Sequence, residues 1–477
     1  MYTDARGLAL TTRSPTAAES YNAAVEQYLQ FRPELPDTLR KALARDGKCV
    51  MANVLYGVAL RLGANDTLLP RARKHLASAE AAAEDATARE RGHVAALRCW
   101  LAGDLLGANR QYEAILAATP EDVLALKLLT HNCFWLGDRA KLRDAPERVL
   151  ARVKPSLPGY GYVLGMRAFG LEESGDYAQA EKVGRAAVEM QPADLWSQHA
   201  VAHVFEMQCR LKEGLDWLAR LAPQWTGQNT FVYHLWWHRA LYLFELERWD
   251  AVLGLYDAEI RREKTDFAPD VVNAVSLLWR LELRGIRVGE RWKELADIAE
   301  QRLGDMSHPF NSLHFLMALL QAGRPRAAQR ALEAMRHFAQ TNRPAAEPGA
   351  PEWGGSTLAP AFEEVAVPVG EGLAAFHETV HKRATELLMK AYGKLGSLGG
   401  SHAQRDVFVL TLIEASREGG YLSLTRDLLA ARTHAKPESA DAWHGYARVL
   451  EFSRDLAGAA AAHARGDALA QRSQGLR

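Results

Sequence analysis

The chain has 477 residues, 48% of them hydrophobic and 24% charged, with 58 Lys and Arg balanced by 58 Asp and Glu. A formal charge of zero gives no broad attraction to a phosphate backbone or an anionic membrane, because such binding needs many uncompensated cations; neither nucleic acid nor membrane is expected as a partner. No apolar run is long enough to span a bilayer, and the start, MYTDARGLALTTRSPTAAES, lacks the basic-then-apolar order of a secretory signal. Cys49, Cys99, Cys133 and Cys209 lie far apart, form no CxxC pair and sit in apolar segments, which reads as reduced buried thiols and a cytoplasmic location.

Taken in order, residues 1–88 carry helical segments near 16–31, 37–63 and 70–86, expected to cap a longer array. From Ser14 onward, segments with apolar residues at three and four spacing alternate with GD, GDY or xP turns, and strand alternation is nearly absent. Self-similarity decides the architecture: a 34-residue period, the tetratricopeptide length, fits residues 161–194, with Ala168 at the helix crossing, Gly175-Asp176-Tyr177 at the turn, Ala180 opening the second helix and Pro192 ending it. The same marks recur in 89–122, 123–156 and 195–228, and more loosely in 233–266, 309–342, 404–437 and 440–473. The predicted fold is all-α: an α-solenoid of tetratricopeptide-like helix pairs forming a curved superhelix with a concave groove. Residues 89–340 would be the central repeats and 371–477 the C-terminal ones. Between them, the Pro- and Gly-rich stretch 341–370 is predicted to contain no helix and to form a loop or linker, either a surface insertion or a lid anchored by Trp353.

Three strings, GYGYVLGMRAFGLEE at 159–173, HAVAHVFEMQ at 199–208 and GGSHAQRDVF at 399–408, resemble the tetratricopeptide repeat protein 38 family, as does the WWHRALYLFE run of residues 236–245. The resemblance implies a stand-alone helical-repeat protein and names no reaction. His377 and Cys209 stand at turn positions where that pattern has glycine, a departure expected to touch turn geometry only.

Counting through the period, the first helix of each pair lines the groove. His199, His203 and Glu206 fall on its groove face, and His234 and His238 on the same side of the next such helix. Tyr162, Phe169, Glu172 and Glu173 precede them, His131, Trp135 and His93 lie earlier, and Tyr233 borders His234. His314 belongs to a later groove helix that His308 and Pro309 open, and Gln404 and Arg405 face back from the far rim if the superhelix curls enough, the alternative being an Arg405–Asp406 network joining repeats. His377 and His381 point outward, and Trp236–Trp237 suits inter-helix packing.

Three readings of the histidines fit. They can hydrogen-bond one another as ordinary packing. They can line a pocket for a small molecule or a protein or peptide segment, with His131, Tyr162, Phe169, Tyr233, His314, Gln404 and Arg405 as further contacts. Or His199, His203, His234 and His238 can hold a transition metal such as zinc, since histidines four apart share a helix face. No cofactor is the first expectation and a metal the alternative, because HExxH and any cysteine cluster are absent. A binding or scaffold protein is the primary functional expectation. The other is an enzyme, for instance a metal-assisted hydrolase or lyase, with His203 or His238 as general base and Glu206 as its partner; no nucleophile elbow, phosphate loop or dinucleotide fingerprint supports a named class.

Overall fold

The computed structural model describes residues 2–473. Among them the chain is helical throughout, apart from loops and a two-residue antiparallel pairing of Tyr2–Thr3 with Ala9–Leu10. It is an α-solenoid of tetratricopeptide-like helix pairs, as the period predicts. The GD turns have two separable causes. Gly103, Gly137 and Gly175 adopt positive φ and end one helix, and Asp104, Asp138 and Asp176 cap the next by accepting the backbone N–H three residues on. The left-handed residue then recurs at Cys209, Glu247, Gly285 and Gly323, and later at Thr379, Gly420 and Arg454. Cys209 therefore stands where glycine is usual, as expected. In the later turn the residue is Thr379, whereas His377 is the last residue of the Val367–His377 helix.

The hydrophobic core has one main cluster that runs from Leu10 to Val449, with separate smaller clusters, the largest of them between Val188 and Leu246. No described helix is long and apolar enough to cross a membrane.

What sets the architecture apart is that the superhelix winds tightly enough to touch itself. Arg302 hydrogen-bonds the Ala64 carbonyl, 238 residues away. His402 meets Glu172 and Lys436 meets Glu206, both across 230 residues. The concave face of the central helices is thereby covered by the next turn of the same chain.

The 341–370 stretch takes part in this closure. Residues 342–358 are not helical, but 359–377 are, in three consecutive pieces: Ala359–Ala361, a π-helical turn Phe362–Ala366, and Val367–His377. The expectation of no helix fails there because Pro360 occupies a first-turn position, where a missing N–H leaves no helical bond unmade, and Pro368 falls directly after the π-helical turn, a break in the ordinary bonding pattern that accommodates it. The preceding loop is strapped to the turn at 102–104: Gly349 N–H donates to Asp104 (2.5 Å), Thr357 N–H to the Gly103 carbonyl (2.9 Å) and the Trp353 indole to the Ala102 carbonyl (3.3 Å). Trp353 does anchor the loop, on the 102–104 turn.

Glu247 is exposed and holds φ at +56°, a conformation that costs an L-residue about 1–2 kcal/mol and glycine little. Glu247→Gly is expected to stabilise the protein by about 1 kcal/mol. Gly175→Ala, at φ +85° with nothing within 4 Å of the added carbon, should cost about the same. Thermal unfolding of the two variants checks both signs.

Candidate functional site

Four of the strings singled out in the sequence meet at one place. The Tyr160–Glu173 helix supplies Phe169, Glu172 and Glu173; the Leu195–Met207 helix supplies His199, His203 and Glu206; the Phe231–Glu245 helix supplies His234 and His238; and the His402–Glu418 helix supplies His402 and Arg405. Two of these helices are fixed at their starts by their own side chains. Asp194 caps the histidine helix through the Trp196 N–H, and Ser401 and Gln404 form a capping box at the start of the last.

Four imidazoles make the centre. His199, His203, His234 and His238 are exposed by 8% or less, and their ligand nitrogens lie within 4.8 Å of one another. The His199 Nε2 is 2.8 Å from that of His203 and 2.9 Å from that of His234. On the far side of three rings Nδ1 looks toward an oxygen, at hydrogen-bonding geometry in His234 alone. His234 Nδ1 is 2.9 Å from Asn273 Oδ1, His238 Nδ1 is 3.3 Å from Glu206 Oε2, and His203 Nδ1 is 3.7 Å from Glu172 Oε2. Asn273 draws the His234 proton to Nδ1 and Glu206 biases His238 the same way, which turns their Nε2 lone pairs inward; burial raises the Glu172 carboxyl to about 7, so it can accept from or donate to the His203 ring. The His199 Nδ1, the His203 Nδ1 and both nitrogens of His238 have no hydrogen-bond partner among the described residues. Burial pushes His199 and His203 well below the usual histidine range, and His234 down to about 3, so these rings stay neutral near pH 7. Aromatic rings enclose them: Phe169 stacks on His199 (5.5 Å, 23°) and Trp237 on His234 (5.2 Å, 13°).

A shell of paired charges surrounds the imidazoles. His402 Nε2 is 2.7 Å from Glu172, and the His402 backbone N–H donates to Glu173 at 2.9 Å, as suits a carboxylate at a helix start. Burial opposes a charge on His402, but Glu172 and Glu173 prevail and raise its ring to about 9. Lys436 Nζ is 3.2 Å from Glu206 and, against burial, holds that carboxyl well below its usual range. Gly399 makes this approach possible: its φ is +77°, and a Cβ there would stand 2.5 Å from the Trp135 carbonyl oxygen.

Arg405 and Trp237 excepted, the other residues singled out in the sequence lie apart from the centre. His131 packs between Trp100 and Trp135; Tyr162 bonds Gln30 and Glu26; Tyr233 lies under Arg262. The His314 Nδ1 bonds the Phe310 carbonyl at 2.8 Å, and His93 meets Asp122 at 2.8 Å. Gln404 is consumed by the Ser401 cap. Arg405 bonds the Gly400 carbonyl and lies 3.5 Å from Glu173, while Asp406 pairs with Arg432, so no Arg405–Asp406 network forms. Of Trp236 and Trp237, the second is fully buried beside the histidines and the first packs on Trp225. Asn273, His402 and Lys436 are participants the sequence reading missed. Only His402 carried a signal, its place inside the GGSHAQRDVF string.

No family model matches the chain. Solved structures similar to it are helical-repeat proteins. They include a human IFIT1 dimer with m7Gppp-AAAA (14% identity, 97% of this chain and 91% of that one, TM-score 0.38). A Cut9–Hcn1 hetero-tetramer of the APC/C (11%, 97% of each, TM-score 0.31) and yeast Tom70 (11%, 96% and 95%, TM-score 0.34) are others. At these identities the ligands and partners belong to those proteins. The expectation that nucleic acid is excluded is withdrawn: human IFIT1, among the similar structures, is solved with m7Gppp-AAAA and with PPP-AAAA. That expectation averaged charge over the whole chain, whereas binding responds to local charge.

With Glu206 and Lys436 both nearly buried, Lys436→Met is expected to destabilise by about 3–5 kcal/mol, because the carboxylate is left uncompensated. Adding Glu206→Gln should recover a large part of that loss. Urea unfolding of the single and double variants measures both.

Proposed function

We propose that this chain is a helical-repeat scaffold whose central repeats hold one divalent transition metal on the Nε2 atoms of His199, His203, His234 and His238. One observation carries the reading: the proton count. With the His234 proton held on Nδ1 by Asn273 and that of His238 biased outward by Glu206, few protons are left for the space where the Nε2 atoms converge. The His199 Nε2 touches two other ring nitrogens, and a single proton satisfies only one such contact. The remaining lone pairs face each other unless a cation stands between them.

The surroundings support the same reading. Acceptor oxygens behind ligand histidines fix the tautomer and raise ligand basicity. Neutral imidazoles suit zinc, copper, iron or nickel. Tetrahedral zinc with Zn–N of about 2.0–2.1 Å needs nitrogens about 3.3 Å apart, so the closest rings part by about half an ångström. Four protein nitrogens fill a tetrahedral shell, and the burial of all four rings favours a closed, structural centre over one with an open position for substrate. Glu206, committed to Lys436 and His238, is poorly placed to be a general base. The convergence of four strings that resemble the tetratricopeptide repeat protein 38 family on this centre supports the family reading, with the metal as what the shared segments hold.

Chelator-treated protein titrated with Co2+ is expected to take up one ion per chain with the visible absorption of tetrahedral cobalt. Zinc at 100 times its dissociation constant should stabilise the fold by about 2.7 kcal/mol. A His234→Gln, His238→Gln double variant should keep its helical circular dichroism and lose the cobalt spectrum. Wild-type protein without that spectrum, or an unchanged spectrum in the variant, would refute the assignment.

A further inference from the structure

A second site lies between the C-terminal repeats, independent of the histidine centre. A cavity of about 640 Å³ opens among the Ala268–Leu283, His402–Glu418, Leu422–Ala435 and Ala440–Phe452 helices, within the size range of small-molecule sites. Five guanidinium groups line it, those of Arg280, Arg284, Arg417, Arg432 and Arg448, against two lining carboxylates, Glu414 and Asp441.

The arginines are not equally satisfied. Arg284 pairs with Asp441, Arg417 with Glu414 and Glu418, and Arg432 with Asp406. Arg280 is 2% exposed and has no carboxylate within 4 Å among the described residues; it bonds the carbonyl and hydroxyl of Ser276 and the Ala403 carbonyl. The Arg432 Nε–H is buried without an acceptor. Arg448, exposed on the outer side, makes no ion pair among the described residues. Asp406 and Glu206 act on Arg280 only from beyond contact distance; a buried cation without a contacting counter-charge is costly, and an anion that enters the cavity supplies that contact. Between these cations the walls are apolar: Phe244, Leu283, Ile413 and Leu429 line the cavity, and Phe452, 73% exposed, stands at its edge.

We infer that this cavity binds a small amphiphilic anion, a carboxylate or phosphate ester on a hydrocarbon body, with its head between Arg280 and Arg432 and its tail along Phe244, Leu283 and Ile413 toward Phe452. Arg448 draws the anion in at the rim. The mixture decides the class. An inorganic anion would leave the apolar wall wet, and a neutral hydrocarbon would leave Arg280 unpaired.

The test is isothermal titration of the full chain with decanoate, decyl phosphate, decanol and inorganic phosphate. One decyl anion per chain is expected, with decanol and inorganic phosphate at least tenfold weaker, and the tighter of the two decyl anions identifies the head group. Arg448→Glu, an exposed change that leaves the fold intact, should weaken the decyl anion about tenfold, and Arg280→Met should weaken it further. Equal binding of decanol, or an Arg448→Glu affinity equal to wild type, overturns the inference. The Arg448→Glu comparison decides even if Arg280→Met fails to fold. Arg448 touches no residue of the metal centre, so the Arg448→Glu comparison, made at equal metal content, reads this cavity alone.

Discussion

The structure depends on an exchange of charge between successive turns of one superhelix. Glu172, Glu173 and Glu206 project from the concave face of the central helices, where burial would make three carboxylates prohibitively costly. His402, Arg405 and Lys436 arrive from about one superhelical turn later and neutralise them. A repeat protein is ordinarily a sum of nearest-neighbour interfaces. Here long-range pairs are added, together with the strap from 342–358 to the turn at 102–104 and the Arg302 bond to Ala64. The groove is consequently an interior, and what remains inside it is polar chemistry of small dimension.

The histidines occupy that interior in a layered order. Acceptor oxygens stand outside, ring nitrogens face inward, and aromatic faces seal the sides. Trp237 belongs to two environments at once: it stacks on His234, and the Arg280 guanidinium lies 5.5 Å over its ring. Arg280 in turn borders the C-terminal cavity. One buried indole therefore stands between the imidazole centre and the arginine-lined space, so that a shift in either is felt through a close-packed contact.

The repeat period made the local half of this legible. It placed His199, His203 and Glu206 on one face and His234 and His238 beside them, because a 34-residue unit fixes which positions of each first helix face inward. The period says nothing of the superhelical pitch, and pitch alone brings His402 onto Glu172 and Lys436 onto Glu206. It also does not say what each inward position meets: His131 holds the register position of His203 and His314 that of His238, yet they meet tryptophan rings and a backbone carbonyl. Proline counting failed at 359–377, since Pro360 and Pro368 fall where a helix tolerates them. Whole-chain neutrality concealed the five arginines around one cavity.

The pairing of Glu206 with Lys436 across 230 residues also sets an order of events on the ribosome. At about 5–20 residues per second, the lysine follows the glutamate by roughly ten to fifty seconds. During that interval the central helices are complete while their carboxylates and imidazoles still face water. The nascent solenoid is an open coil with its future interior hydrated, and its final compaction must await the last repeats.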